Sequence, residues 1–431
     1  MGTRHVLTAI ALASSPAAAN PVEVFGLTSR HAAQANAGVA SVDDAAALYY
    51  DPAGLVADPK LEFEVGSVVA VSHLQIQDHF ASLTDPVGFQ IAMRAPLPLA
   101  GALANRIVVG IALHLLPTEV VEVVAPPPDR PFYPYYGDRL SRIVVLPGAA
   151  VRLDHGVSLG FAVNVLAGLG GTISASEGAT RAIDSRVDER VPTIARIIAG
   201  AQYELAPQWK LGAVYRQRFE IPFSTSAVTN VAGEPIDIDL SASGAFTPDT
   251  VVAGGAWSDA NLTASLDLGW ASWSAYPGPF VRVNSELPLV GPVPGQTPVV
   301  PFKDTFAIRG GVELTRGTWV FRGGYGFETS AIPKSQPGVT NLLDGPHHTI
   351  GVGAGWLHGT MRIDAHVQLQ IVGGRTITKT IYDGTGTYDP FTSVRDEDTA
   401  TPGTQTSNPG FPTLQSGGEV LSAGVTFEVW K

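Results

Sequence analysis

The chain has 431 residues, a formal net charge of −12 and no cysteine. The negative charge argues against nucleic-acid binding, which needs a basic face. The lack of cysteine fits an exported protein and excludes zinc–thiolate sites, CxxC redox motifs and cysteine nucleophiles. Only 15% of the residues are charged, whereas a soluble domain has about 25%, so much of the surface is expected to face something other than water. No apolar run reaches the roughly 18 residues of a membrane helix, which leaves a transmembrane β-barrel as the best candidate.

The first residues are typical of an export signal. A weakly positive start at residues 4–5 precedes a short apolar core at residues 6–13 and small residues at 17–19. We therefore predict a cleaved signal peptide at residues 1–19 and a mature chain that begins near Asn20. The alternatives are a disordered start and a mis-set initiation codon.

A partly helical piece is predicted at residues 20–59. Ser41 and Asp44 have the spacing of a capping box, with Ser41 as the N-cap residue. The alanines that follow favour a helix, and Asp51-Pro52 is expected to end it. The small size and alanine content indicate a plug, or hatch, inside the lumen of a barrel. A flexible periplasmic tail is the alternative.

The remainder, residues 60–431, alternates between apolar and polar residues with a period of two. In the segment 361–371, for example, Met361, Ile363 and Val367 point one way, whereas Arg362 and Asp364 point the other. A soluble β-sandwich has the same alternation with its apolar face inward. The alternation alone therefore leaves both classes open.

Three further features favour a barrel. The segments are about 11 to 14 residues long, more than the usual five or six of soluble strands. Short and long connections alternate along the chain, as in outer-membrane barrels. Tryptophans lie near the predicted strand ends, where a membrane interface favours them; they are Trp209, Trp257, Trp319, Trp356 and Trp430 on the short-turn side and Trp270 and Trp273 on the other.

These features predict an all-β fold, a 14-stranded antiparallel transmembrane β-barrel. We treat residues 236–257 as one long strand with an irregularity at Pro248, because splitting it would give an odd number of strands. The predicted spans are 61–72, 88–98, 105–116, 141–153, 156–168, 193–205, 208–219, 236–257, 260–273, 304–315, 317–329, 346–358, 359–372 and 417–429.

Several blocks resemble the FadL family of outer-membrane transporters for long-chain fatty acids and hydrocarbons. The most specific is the run from Phe302 to Glu313, followed by Phe321-Arg322-Gly323-Gly324-Tyr325. The N-terminal piece resembles the family's hatch signature, and the residues that carry this motif are Ser41, Asp43, Asp44, Asp51, Pro52, Ala53 and Gly54. The family usually has asparagine where this chain has Asp51.

The resemblance implies a fourteen-stranded barrel closed by an N-terminal hatch. In such a protein a hydrophobic ligand binds at an outer groove, moves to an internal apolar pocket and leaves sideways through a gap in the wall. Two departures stand out. The outer loops are short for fatty-acid-binding members, and the chain ends in Trp430-Lys431, whereas barrels usually end on the aromatic residue.

Four arginines are candidates for contact with a ligand carboxylate or with the lumen. The polar faces of the predicted strands also carry acidic residues, so structural ion pairs inside the lumen are the first interpretation and ligand binding the second. The four are Arg216, Arg309, Arg322 and Arg362.

An aromatic, proline-rich segment is a candidate outer capture loop. Its residues are Phe132, Tyr133, Tyr135 and Tyr136. A loop whose rings pack against each other is an equally good interpretation.

The sequence has no convincing enzyme signal, and no cofactor or metal is expected. His347 and His348 are neighbours on a predicted strand and point to opposite faces. The predicted function is passive uptake of fatty acids or similar hydrophobic small molecules by a monomer in the bacterial outer membrane. Outer-membrane lipid and lipopolysaccharide are the expected surroundings. The alternatives are an outer-membrane lipid-modifying enzyme and an adhesive or structural barrel.

Overall fold

The computed structural model describes residues 21–431 except for a set of gaps, so the predicted signal peptide lies outside the described residues. The gaps are residues 78, 82, 84, 116–130, 137–142, 168–169, 178–182, 191–192, 232–233, 281, 288–290, 295–298, 338–339 and 381–413.

Fourteen antiparallel strands form a closed barrel, as predicted. Each strand pairs with the barrel strands before and after it, and the last strand pairs with the first. The strands are β1 Glu62–Ile76, β2 Val87–Pro96, β3 Ile107–Leu115, β4 Val144–Arg152, β5 Val157–Ala167, β6 Thr193–Ala206, β7 Trp209–Arg216, β8 Thr250–Ser258, β9 Leu262–Ala271, β10 Thr305–Arg316, β11 Trp319–Glu328, β12 His347–His358, β13 Met361–Thr380 and β14 Leu414–Trp430.

Large apolar side chains line the outer face of these strands. In β13, Ile363 and Val367 are exposed, whereas Asp364, His366 and Gln368 are buried inside the barrel. This is the reverse of a soluble sandwich, which buries its apolar face. The outer surface therefore suits lipid, and the sandwich alternative is excluded.

Two pairs of tryptophans mark the short-turn end of the outer wall. Trp209 lies opposite Trp257, and Trp319 lies opposite Trp356, on neighbouring strands. Their positions agree with an interface belt. The prediction for Trp273 is wrong, because its ring is buried among aromatic side chains and does not face outward.

The prediction of one long strand at residues 236–257 is also wrong. The chain breaks at Pro248 and Asp249, where Asp249 Oδ1 accepts hydrogen bonds from Arg218 N and Tyr215 Oη at 2.9 and 2.7 Å. Proline lacks the N–H that a continuous ladder needs. The barrel strand β8 follows the break, and the part before it, Glu234–Thr247, pairs with Phe219–Val231 outside the barrel sheet. The count of fourteen holds because this hairpin does not join the wall.

Further short strands lie outside the barrel ladder or at its end. Glu234–Thr247 also pairs with Arg282–Leu287, which pairs with Gly291–Pro294. The others are Gly170–Glu177 with Ile183–Arg190, His79–Phe80, and Ser335–Pro337.

The N-terminal segment, residues 21–61, lies against the inner faces of the strands, and we call it the hatch. It contains α1 Pro21–Phe25, α2 Ser29–Ala32, α3 Ala47–Tyr50 and a 3₁₀ helix, Pro52–Val56; two further 3₁₀ turns, Gly101–Leu103 and Trp273–Ala275, lie elsewhere. No helix in the described part of the chain combines the length and apolar character needed to span a membrane.

The capping-box prediction is wrong. The helix α3 begins only at Ala47, and Ser41 Oγ instead hydrogen-bonds to Ser265 Oγ on the wall at 2.8 Å. Asp44 Oδ1 accepts a hydrogen bond from Ala46 N at 3.1 Å within a turn. The predicted end is correct, because α3 stops before Asp51, which caps the 3₁₀ helix through Ala53 N.

Candidate functional site

Wall glycines allow the hatch backbone to lie directly on the barrel. A Cβ atom at Gly160 would overlap the backbone of Pro52 and Ala53, and one at Gly324 would overlap the backbone of Gln34. A Cβ atom at Gly200 would overlap the Asp51 carboxylate. Side chains at these points would push the hatch away from the wall.

Two of the three acidic residues of the hatch motif pair with one arginine. Arg30 pairs with Asp43 and, at 3.0 Å, with Asp44, and it also reaches Glu313 of the wall at 3.0 Å. Burial alone would raise the pKa of the Asp44 carboxyl, but His31 at 3.1 Å and Arg30 hold this pKa well below its usual value. These ion pairs hold the middle of the hatch together and attach it to β10.

Two of the four predicted arginines belong to this ionic network. Arg322 donates to Glu313 and to Asp364, both at 2.6 Å. Arg362 pairs with Asp364 at 2.8 Å and with Glu428. Arg322 and Arg362 therefore take part in ion pairs inside the barrel.

The other two arginines line a cavity between the hatch and the wall. Its volume is about 150 Å³, whereas one water molecule needs about 10–15 Å³. Apolar and aromatic side chains form most of the lining. They include Val22, Val24, Val39, Tyr49, Val252, Ala271, Trp273, Ala307 and Phe327.

The charged groups of the cavity have partners of different kinds. Arg309 Nη2 donates to Glu328 at 2.8 Å. Asp267 Oδ2 accepts hydrogen bonds from the hatch at Gly38 N, 2.7 Å, and Val39 N, 3.1 Å, whereas Asp267 Oδ1 is buried without a described hydrogen-bond partner. Arg216 donates to the carbonyls of Tyr49 and Tyr50 at 2.9 and 3.1 Å, and it forms no ion pair with the described residues.

The predicted capture loop is packed into the outer end of the lumen. Tyr133 and Tyr136 are buried, and the Tyr135 ring meets Trp273 edge-on, with ring centroids 5.0 Å apart. The Tyr133 hydroxyl donates to Gln75 O at 2.5 Å and accepts a hydrogen bond from Gly417 N at 2.8 Å. Phe132 packs against Phe280. Tyr135 and Tyr136 line the cavity, whereas Tyr133 and Phe132 pack beside it.

The loop completes an outer aromatic cluster that sequence reasoning missed. Its members come from four separate segments of the chain, so no local sequence motif indicates the cluster. In the sequence, only the number of aromatic residues near the predicted strand ends points to such a cluster. The cluster consists of Phe132, Tyr135, Phe246, Trp273, Tyr276, Phe280 and Phe302.

A tyrosine–histidine–aspartate chain at the cavity edge was also missed. Tyr136 Oη lies 3.0 Å from His347 Nδ1, and His347 Nε2 lies 2.7 Å from Asp344 Oδ1. His348 points to the other face, where its Nδ1 lies 2.8 Å from Tyr325 Oη, in agreement with the prediction of opposite faces.

The fold is similar to those of several solved proteins. A Pseudomonas aeruginosa FadL homologue matches with a TM-score of 0.60 at 11% identity, over 97% of this chain and 99% of that chain. The P. putida toluene transporter TodX matches with a TM-score of 0.56 at 15% identity, over 94% and 98%. The Ralstonia pickettii toluene transporter TbuX matches with a TM-score of 0.54 at 14% identity, over 94% and 98%. No family model and no curated protein sequence matches the chain.

Proposed function

We propose that this protein is a passive transporter that carries hydrophobic small molecules, such as long-chain fatty acids or hydrocarbons, across a bacterial outer membrane. The observation that carries the proposal is an apolar-lined cavity inside a barrel with a lipid-facing outer wall. Ligand sites are concave and mostly apolar, with few polar groups that orient the ligand. The structural neighbours include toluene transporters, which supports the same class of cargo.

Arg216 is the proposed contact for a polar ligand head. Its guanidinium lies in the cavity lining and hydrogen-bonds only to the carbonyls of Tyr49 and Tyr50 among described partners. It forms no ion pair with a described carboxylate, unlike Arg309. A carboxylate head would give Arg216 an ion pair, and a neutral hydrocarbon would use the apolar lining alone.

The wall between β4 and β5 is the proposed place of lateral exit. The pairing of these strands is interrupted between Val145 and Gly148, where Pro147 provides no N–H for the ladder. Leu48 of the hatch packs behind this point, so close to Gly148 that a Cβ atom there would overlap the leucine. Movement of Leu48 would uncover a weak point in the wall.

The proposal contains no chemical step, and we infer that the protein is not an enzyme. Facilitated diffusion needs only a path, and the surroundings of that path are outer-membrane lipid and lipopolysaccharide. A monomer is sufficient, because the barrel closes on itself within one chain. Export by a cleaved signal peptide at residues 1–19 belongs to the same proposal.

Filling the cavity tests the proposed function. Ala307 lines the cavity, and we expect Ala307→Phe to lower uptake of a labelled fatty acid or alkylbenzene into proteoliposomes by about tenfold or more, because the ligand loses the space that buries it. Ala253→Phe is the matched control, since Ala253 faces outward on β8. Equal uptake by both variants, or no uptake by the wild-type protein, would contradict transport through this cavity.

A further inference from the structure

Three glutamates meet where the first and last strands close the barrel. Glu64 of β1 lies directly opposite Glu428 of β14, and Glu62 lies two residues before Glu64 on the same inner face. All three are buried. Like charges directly opposite each other on neighbouring strands destabilise a sheet, so this arrangement needs a compensating positive charge.

Neighbouring cations compensate only two of the three. Glu62 forms ion pairs with Arg94 at 2.7 Å and Lys60 at 3.3 Å, and it accepts a hydrogen bond from the hatch amide of Ala45 at 2.7 Å. Glu428 forms ion pairs with Arg362 and, at 3.4 Å, with Lys60.

Glu64 is the exception. It forms no ion pair with the described residues, and its Oε2 atom is buried there without a hydrogen-bond partner although the residue is only 3% exposed. The nearby guanidiniums are committed elsewhere: Arg94 Nη1 donates to Leu55 O at 2.9 Å, and Arg362 Nε reaches Asp364 at 2.8 Å.

The surrounding network has an excess of negative charge. When all are ionised, its described carboxylates outnumber its arginine and lysine side chains by three, and His31, when protonated, removes one of these. The ionised network is therefore negative overall. The carboxylates are those of Asp43, Asp44, Asp58, Glu62, Glu64, Glu313, Asp364 and Glu428, and the cations are Arg30, Lys60, Arg94, Arg322 and Arg362.

We propose that Glu62, Glu64 and Glu428 bind one Ca²⁺ ion that ties the first strand of the barrel to the last. One carboxylate oxygen from each residue lies within 4.8 Å of the others. Two oxygens on one Ca²⁺, with bonds of 2.3–2.6 Å, are up to about 5 Å apart, whereas the shorter bonds of Mg²⁺ allow only about 4 Å. Carboxylates are hard ligands that suit this ion, and Ca²⁺ tolerates the irregular geometry of three strand side chains.

The site lies at the short-turn end of the barrel and does not involve the ligand cavity. Lys60, whose side chain is 19% exposed, lies between the cluster and solvent. The ion also stabilises the hatch indirectly, because Glu62 accepts the Ala45 amide. Transport and ion binding are therefore separable properties, and failure of one leaves the other standing.

Ion titration of chelator-stripped, detergent-solubilised full-length protein tests the site. We expect the wild-type protein to bind one Ca²⁺ per chain by calorimetry, and Tb³⁺ to bind in its place with emission sensitised by the nearby Trp430. Glu64→Gln keeps the shape but removes the uncompensated charge, and it should weaken Ca²⁺ binding at least about tenfold, since affinity depends on the number of charged ligands. Glu204→Gln, at an exposed strand end, is the matched control and should bind as the wild type does.

A measurement on the unaltered protein guards against a variant that does not fold. Ca²⁺ should raise the heat-denaturation midpoint of the wild-type protein, and a chelator should lower it, because an ion that binds only the folded state stabilises it. Absence of wild-type binding would overturn the proposal. Equal Ca²⁺ affinity of the wild-type and Glu64→Gln proteins would also overturn it, as would a midpoint that depends on pH but not on Ca²⁺, since a proton would then neutralise Glu64.

Discussion

Asp51 carries a buried carboxylate that is only half satisfied. Its Oδ1 atom accepts a hydrogen bond from Ala53 N at 3.0 Å, whereas Oδ2 is buried without a described partner. Burial raises the pKa of this carboxyl from 3.8 to about 7, although the Ala53 amide and the charge of Arg216 oppose the shift. Asparagine, which the FadL family usually has at this place, would have no charge to bury.

The first prediction is that Asp51→Asn stabilises the protein at pH 8 but not at pH 4. Because the folded-state pKa is raised, the folded protein holds this proton more tightly than the unfolded chain does. The stability that the group contributes is complete below about pH 4 and is lost as the pH rises towards about 7. We expect a gain of about 2 to 4 kcal/mol at pH 8.

Heat or urea denaturation in detergent at both pH values checks this prediction. Asp154→Asn is the control, since the Asp154 side chain is 70% exposed at a turn. An Asp51→Asn effect of the same size at pH 4 and pH 8 would contradict a titrating Asp51.

Single-residue roles were predictable where strand parity decides them and not where distant segments meet. The alternation of β13 placed Asp364 inward correctly, and the side chain does join an interior ion pair. Parity could not tell Arg216, which lines the cavity, from Arg322, which is locked between two carboxylates. The role of Glu428 could not be predicted, because it depends on Glu64, which lies more than three hundred residues earlier and meets Glu428 only where the first and last strands pair.

At the scale of elements, the contact between the hatch and the wall depends on wall glycines, which have no side chain to hold the two apart. The second prediction is that Gly160→Ala displaces the 3₁₀ helix of the hatch, because the new Cβ would overlap the backbone of Pro52 and Ala53. Backbone atoms cannot rotate away as a flexible side chain does, so we expect a cost of about 1–3 kcal/mol. A displaced hatch should let more of a small sugar leak into proteoliposomes.

Gly255→Ala is the control for this experiment. A Cβ at Gly255 would come no closer than 3.7 Å to its nearest neighbour. Equal sugar leakage through the two variants would show that the hatch does not obstruct the lumen at Gly160.

Element boundaries followed from the sequence where local chemistry acts alone. Asp51-Pro52 ends α3 as expected, because a residue before proline avoids the helical conformation. The predicted start of α3 is wrong, since the Ser41 hydroxyl hydrogen-bonds to that of Ser265 on the wall and does not cap a helix. The sequence predicts an irregularity within one strand at Pro248, but the hydrogen bonds of Asp249 with Tyr215 and Arg218 turn the chain out of the wall. Tertiary contacts decide both cases.

At the scale of the whole molecule, the protein has two different surroundings for its side chains. The outer wall is apolar, and the lumen holds the charges, the hatch and the cavity. The barrel class and strand number were predictable because closure demands an even, alternating pattern along the entire chain. The course of the chain outside the barrel was not predictable, because nothing there repeats with a strand period.

The third prediction tests the lipid-facing wall directly. Val352 is 55% exposed near the middle of β12, and we expect Val352→Arg to destabilise the barrel by about 2–4 kcal/mol in a bilayer, because the charge would lie near the hydrocarbon midplane. His358, on the same face at the end of β12, should tolerate arginine at a cost of about 0–1 kcal/mol. Urea unfolding in lipid vesicles measures both. A membrane gives this dependence on depth, whereas water around the same wall would make both substitutions harmless, so equal costs would remove the basis for a transmembrane barrel and for transport through it.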